Sequence, residues 1–180
     1  MVRFPNLPVE EDGRLNDANL RENFVERIFA YRRFRALFGG HWKMGDLVAF
    51  HSREKLLLLA HGTVAYQKLG RLVAGAKGRD RDEVAREYED VFMTTLRKIA
   101  TRRKQTNVLQ HLAGHFKRLI DSTDRQELQE VIASYHAGYV PLVVPVTLLK
   151  HHVRRHSIDY LAQQTYLDPH PTELLLRNHG

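Results

Sequence analysis

The sequence predicts an all-α fold, a single compact bundle of about seven to eight helices with an extended N-terminal arm. Apolar residues recur at three- and four-residue spacing, and turn residues separate the periodic segments. The length of 180 residues, with 43% hydrophobic and 27% charged content, matches one ordinary globular domain. Residues 1–16 combine two prolines with an acidic run, so we expect an arm or interdomain linker there and the helical domain at 17–180.

The first predicted helix begins after a cap at Asn16 or Asp17 and ends before the Gly39-Gly40 pair. Its apolar spacing predicts a buried face. The residues of that face are Phe24, Ile28, Tyr31 and Phe38.

Three more helices are predicted in the first two thirds of the chain. The second starts near Asp46, and a short third covers about Thr63 to Ala74. A fourth begins after an N-cap at Asp80 or Asp82 and keeps one face apolar to about Thr101.

The rest of the chain is predicted to continue as helices. One covers about Thr106 to Ile120, and the next opens with a capping box at Thr123 and ends at Gly138. Because proline is tolerated in a first helical turn, another is expected from about Leu142 or Pro145 to His156. Short helical pieces are expected at 157–164 and 171–177.

The composition and the termini exclude several classes of protein. The chain has no cysteine, which rules out disulfides, thiolate catalysis, Cys-ligated zinc and cysteine-held iron–sulfur clusters. Pro5 and Pro8 interrupt any apolar run of a secretory signal. The longest apolar run, from Tyr139 to Leu149, has about half of the ~20 residues that a membrane span needs. We therefore expect a cytoplasmic protein without a membrane span.

The net charge of +7 is concentrated in two stretches that contain no acidic residue, 97–120 and 131–158. Such cationic surfaces attract phosphates, so RNA is the predicted partner, although plain solvation of a basic face is the alternative. Few aromatic residues accompany the charge, which favours recognition of a folded RNA by shape over base stacking. The predicted RNA-binding residues are Arg97, Lys98, Arg102, Arg103, Lys104, Asn107, His111, His115, Lys117, Arg118, Lys150, His151, His152, Arg154 and Arg155.

Two histidine pairs have the i, i+4 spacing that places two imidazoles on one helical face, His111/His115 and His152/His156. Neither pair has the acidic neighbour of a metalloprotease motif, and a third ligand would have to come from elsewhere in the chain. The sequence therefore predicts no metal site and no cofactor.

A second polar group, at His51, Arg53, Glu54 and Lys55, is an alternative site. His51, Glu54 and Lys55 lie on or near one helical face, where they can supply an acid–base pair or an internal salt bridge. Because no recognised catalytic motif accompanies them, no catalytic residue is assigned.

Four strings of residues, in this order, resemble the YbgA-type domain, a family of unknown function. They are FHSREKLL at 50–57, QTNVLQH at 105–111, VPLVVPVTLL at 140–149, and QTYL at 164–167, which is followed by PHP and LRNH. The resemblance extends from about Phe24 to the C-terminus.

The arm at 3–17 is similar to the junction in RudS-type proteins, where this domain follows a thiouracil or thiouridine desulfidase domain. That resemblance implies tRNA containing 4-thiouridine as a partner, with the desulfidase domain in cis or in trans. In that family the other domain holds an iron–sulfur cluster through cysteines, which this chain lacks. The leading hypothesis is a helical tRNA-docking module. The alternatives are a stand-alone enzyme with a histidine-centred, metal-assisted site and a protein–protein interaction domain.

Overall fold

The computed structural model describes residues 5–179, so Gly180 and residues 1–4 of the predicted arm lie outside the described part. Across 5–179 it contains eight α-helices, two short 3₁₀-helices and no strand, which confirms the all-α prediction. The α-helices are α1 (Ala18–Phe38), α2 (Met44–His61), α3 (Thr63–Ala74), α4 (Arg81–Leu96), α5 (Arg102–Gly114), α6 (Ser122–Ala137), α7 (Val143–Arg155) and α8 (Asp159–Ala162). The 3₁₀-helices are Asp12–Asn16 and Thr172–Leu174.

A cluster of aromatic rings from α1, α2 and α4 forms the centre of one half of the core. The Phe50 centroid lies 5.9 Å from those of Phe34 and Tyr88 and 5.7 Å from that of Phe92. These three contacts are edge-on, the geometry that aromatic quadrupoles favour. Helix α5 packs against α2 on one side and against α6 and α7 on the other. It thereby joins the aromatic half to the rest of the bundle.

Side-chain caps define several helix ends as expected. The Asp17 carboxylate accepts hydrogen bonds from the backbone N–H groups of Asn19 and Leu20, at 2.8 and 3.0 Å. Asp80 accepts from Glu83 N–H at 2.8 Å. Gly138 ends α6 with φ of +89°, a left-handed conformation that favours glycine.

The predicted boundary between the fourth and fifth helices is wrong. Helix α4 ends at Leu96, and α5 begins at Arg102 because the Thr101 side chain caps it by accepting from Lys104 N–H at 3.4 Å. At its other end α5 stops at Gly114, six residues before the predicted Ile120. There the backbone tightens into i to i+3 hydrogen bonds.

One other helix start differs from the prediction, and the start of α2 lies within two residues of the predicted Asp46. Helix α6 has no capping box at Thr123, since the Asp121 carboxylate is the cap and accepts from Asp124 N–H at 2.9 Å. Helix α2 begins at Met44, because Asp46 lies in the first turn and accepts from Lys43 N–H at 2.8 Å.

The buried face of α1 is not the one predicted from its apolar spacing. Ile28 is 39% exposed, and Phe24, Tyr31 and Phe38 are only half-buried. The buried residues are Asn23, Glu26, Arg27, Ala30 and Phe34. Three of these five are polar, and each has partners in neighbouring segments that offset the cost of burying it.

The described part of the arm lies against α1 and α4. Asn6 is buried and donates to the Asp90 carboxylate at 2.7 Å. Arg27 of α1 donates to the Glu10 carboxylate at 2.9 Å, and Arg97 donates to the Pro5 carbonyl at 3.2 Å. Among the helices of residues 5–179, none combines the length and apolar content that a membrane span requires.

Candidate nucleic-acid interface

An open cavity of about 810 Å³ lies between α2, α3, α5 and α8, and we call it the α5 groove. Its lining contains three cationic side chains and no carboxylate. The residues of the α5 groove are Lys55, Leu56, Leu59, Thr63, Tyr66, Thr101, Arg103, Lys104, Asn107, His111, His115 and Tyr160.

The polar stripe of α5 enters the groove because the opposite side of the helix is apolar. Val108, Leu109 and Leu112 are fully buried. Lys104, Asn107, His111 and His115 recur at three- and four-residue spacing, which puts them together on the other side. The structure brings these four predicted residues into one site.

The three cationic side chains of the groove make different contacts with the rest of the protein. The Lys104 ammonium donates to the His61 carbonyl, at the end of α2, at 2.8 Å. An ammonium has three N–H donors, so two remain. The Lys55 ammonium lies 4.8 Å from the centroid of the Tyr160 ring, a cation–π distance. Arg103 is exposed, and no carboxylate of residues 5–179 ion-pairs with it.

Sequence reasoning missed the two tyrosines of the groove. Tyr160 is 37% exposed, and its ring centroid lies 5.9 Å from that of His115. Tyr66 is half-buried, with its centroid 6.5 Å from that of His51. Both lie on elements remote in sequence from α5, where no local pattern associates them with the basic stretch.

Four of the predicted RNA-binding residues instead make contacts within the protein. Arg97 binds the arm, and Arg102 donates to the Tyr135 carbonyl at 2.9 Å. Lys150 pairs with Asp168 at 2.5 Å, and Arg155 with Asp124 at 3.5 Å. Others on the predicted surface are exposed and outside the groove lining, and these are Lys98, Lys117, Arg118, His151 and Arg154.

His152 is buried rather than available at the surface. Its ring packs 5.6 Å from that of Phe116, and neither ring nitrogen has a hydrogen-bond partner. Burial lowers its pKa, and the neighbouring His151 adds to that effect. The imidazole is therefore favoured in its neutral form, in which it packs as an aromatic ring.

The alternative polar site is dispersed in the fold. The buried Glu54 carboxylate pairs with Arg33, at 2.7 Å from its Nε, and accepts from the Thr165 hydroxyl at 3.0 Å. The Nδ1 of His51 lies 3.0 Å from the hydroxyl of Tyr88. Burial lowers the His51 pKa, and Lys55 adds to this. Arg53 is exposed, and Lys55 belongs to the groove.

Only one of the two i, i+4 histidine pairs lies in the α5 groove. His111 and His115 line the groove, whereas the His152 and His156 rings stack 6.2 Å apart beside Phe116. Within residues 5–179, no group of three or more His, Asp or Glu side chains is placed to hold a metal ion.

A buried polar network, which sequence reasoning also missed, packs next to the groove and joins Glu26, His61 and Arg177. The Nε2 of His61 lies 2.6 Å from Glu26, and its Nδ1 lies 2.5 Å from the Lys98 carbonyl. Burial alone would lower the His61 pKa and raise that of Glu26. Their mutual attraction outweighs burial, so the His61 pKa is raised and the Glu26 pKa is lowered.

Arg177 extends this network to the C-terminal segment. It lies 3.2 Å from Glu22 and 3.6 Å from Glu26, and it donates to the Tyr166 carbonyl at 2.7 Å. The Tyr166 hydroxyl in turn donates to Gln105 at 2.6 Å. Gln105 is the buried neighbour of Lys104, so the network holds the back of α5 in place.

The groove lies in the part of the chain that matches a known protein family. Residues 55–171 match the family described as "Protein of unknown function (DUF1722)". The chain belongs to the DUF1722 family. Every residue that lines the α5 groove falls within the DUF1722 span. This DUF1722 chain is also similar to "Uncharacterized protein YbgA" of Escherichia coli (strain K12), with 36% identity over 167 residues. Those residues cover 92% of this chain and 99% of that protein, which confirms the YbgA-type resemblance. No solved structure matches the chain.

Proposed function

We propose that this DUF1722 chain is a helical RNA-binding module that docks tRNA for a 4-thiouridine or thiouracil desulfidase domain, in cis or in trans. The observation that carries RNA binding is the α5 groove, whose lining has three cationic side chains and no carboxylate. Exposed Lys117 and Arg118 lie three and four residues after the end of α5 and add to its positive charge. Phosphates bind such surfaces and release counterions as they do so.

The desulfidase association rests on a different argument, the similarity of the arm to the junction of RudS-type proteins. The absence of cysteine assigns the sulfur chemistry to another domain. A histidine-centred enzyme is less well supported, because His51 and Glu54 contact Tyr88 and Arg33 instead of sharing a site.

The test is a titration of a tRNA transcript at several salt concentrations. The groove supplies Lys55, Arg103 and Lys104, and the adjoining surface supplies Lys117 and Arg118. With these five cations, log K should fall against log salt with a slope of roughly −3.5 to −4.5, at about −0.7 to −0.9 per phosphate contact. Arg103→Ala should weaken binding and reduce the magnitude of that slope by about 0.7–0.9.

Lys150→Ala is the matched control. It also removes one positive charge, but Lys150 is paired with Asp168 outside the groove. It should leave the slope nearly unchanged. Binding that ignores salt, or equal effects of the two substitutions, would contradict the proposed function.

A further inference from the structure

The α5 groove has features that a surface for duplex phosphates does not need. Its volume of about 810 Å³ falls within the roughly 300–1,000 Å³ range of small-ligand sites. Two tyrosines, Tyr66 and Tyr160, line it together with the polar stripe of α5. Phosphate contacts alone require neither a cavity of this volume nor the aromatic rings.

Aromatic rings beside cations match the chemistry of an unpaired nucleotide. A base in a duplex is stacked on its neighbours and offers only its edges, whereas an unstacked base has a free π-face for a tyrosine. Tyr160 is the more accessible ring, at 37% exposure. Because the Lys55 ammonium lies 4.8 Å from its centroid, a stacked base takes the face of the ring that Lys55 does not cover. Arg103 and Lys104 both line the groove, and Lys104 keeps two N–H donors that a phosphate can use.

The remaining polar side chains suit the edge of a base. The Asn107 amide can donate and accept at once, which matches the paired donors and acceptors on base edges. The hydroxyls of Thr63 and Thr101 also line the groove and can do either. With no carboxylate in the lining, nothing there repels the phosphate.

We propose that the α5 groove binds one unstacked nucleotide of a single-stranded RNA segment, with its base on Tyr160 and its phosphate on Arg103 and Lys104. This inference rests on the proposed function in taking RNA as the ligand. It differs from the expectation drawn from the basic stretches, which was recognition of a folded RNA by shape.

The experiment uses the full chain and a five-nucleotide single-stranded RNA with 2-aminopurine at its centre. The two nucleotides that flank the probe are abasic, so the free probe base is unstacked and fluorescent, and stacking on a tyrosine should quench it as the protein is added. Tyr160→Ala should weaken binding by roughly 5- to 150-fold, the range for losing one stacked base, and should abolish the quenching. Tyr160→Phe keeps the ring and should retain both.

Tyr139→Ala is the matched control, because Tyr139 is 84% exposed and outside the groove lining. It should bind the probe as the unmodified protein does. Tyr160→Leu keeps an apolar side chain of similar bulk and should still lose the quenching, which separates stacking from a packing defect. An unlabelled 12-base-pair RNA duplex should compete poorly with the probe.

The inference is overturned if the pentanucleotide does not bind, if the duplex competes as well as the single strand, or if Tyr160→Ala binds unchanged. The tRNA titration separates this failure from that of the proposed function. If tRNA binds with the expected salt slope while the pentanucleotide does not, the nucleotide site is wrong and the docking function stands. If the pentanucleotide binds as expected and tRNA does not, the nucleotide site stands and the docking function is wrong.

Discussion

Arg177→Ala is expected to lower the free energy of unfolding by about 3–5 kcal/mol, the usual cost of removing one partner of a buried ion pair. Arg177 is only 6% exposed. Its guanidinium contacts Glu22 and Glu26 and donates to the Tyr166 carbonyl. Alanine would leave two largely buried carboxylates without this cation and one buried carbonyl without its donor.

The destabilisation should also depend on pH. Burial raises the pKa of Glu22 to about 7, although Arg177 opposes it, so the pKa should rise further in the variant. A carboxyl whose pKa is higher in the folded than in the unfolded state holds its proton more tightly when folded. Stability then falls as pH rises from the unfolded pKa to the folded one. The loss caused by Arg177→Ala should therefore be larger at pH 8 than at pH 5.

Urea unfolding followed by circular dichroism at both pH values measures this. Arg79→Ala is the control, because Arg79 also contacts two glutamates, Glu83 at 3.4 Å and Glu87 at 3.0 Å, but at the surface. Solvent screening weakens such pairs, so its effect should be much smaller. Equal losses for the two variants, or a loss from Arg177→Ala that is the same at pH 5 and pH 8, would refute the reasoning.

Three further predictions use the same unfolding measurement. Asp121→Ala should lower the free energy of unfolding by about 1 kcal/mol because it removes the α6 cap, whereas Thr123→Ala should change it by less than about 0.5 kcal/mol. A larger loss from Thr123→Ala than from Asp121→Ala would show that Thr123 is the cap. Gly138→Ala should cost about 1–2 kcal/mol, because φ is +89° and the added Cβ would lie 3.1 Å from Nη1 of Arg102; an unchanged midpoint would contradict this. Glu22→Gln should stabilise the protein by about 1–3 kcal/mol at pH 8 and little at pH 4, since it removes a buried charge only where the carboxyl is ionised; a gain independent of pH would count against it.

The helix boundaries that could be predicted from sequence are those with a local chemical signal. Asp17 and Asp80 are each one of two cap candidates that the sequence offers, because a carboxylate before an apolar-periodic segment is a strong cap. The start of α5 was missed because no glycine or proline separates it from α4 and its first turn is Arg102-Arg103-Lys104. With no apolar residue in that turn, the periodicity became visible only later in the helix.

The residues of the candidate site likewise separate into those that a local pattern predicts and those that only tertiary packing brings in. The stripe from Lys104 to His115 follows from helical spacing and was predicted. The same spacing would have removed Arg102, since two positions correspond to about 200° around a helix and place it opposite Lys104. Tyr66 and Tyr160 could not be found, because only the packing of α3 and α8 beside α5 brings them there.

The misplaced face of α1 has a physical cause that also explains how the site is held. Apolar periodicity assumes that polar residues face solvent, but Glu26 of α1 is buried against His61 of α2 and Arg177 of the C-terminal segment. Glu26 and its two partners come from three distant parts of the chain, so no local pattern could pair them. The polar face of α1 is thus buried because the other two segments supply charges that match it.

Net charge is a poor guide to a candidate binding surface in this chain. Several of its basic side chains are committed to the fold, such as Arg177 with Glu22, Arg33 with Glu54 and Lys150 with Asp168. Their positive charge is balanced within the protein and offers little to a phosphate. Arg103 and Lys104, by contrast, line the α5 groove, where no carboxylate offsets their charge. Under the proposed function, Arg103→Ala should therefore weaken tRNA binding more than Lys150→Ala, although each removes the same formal charge.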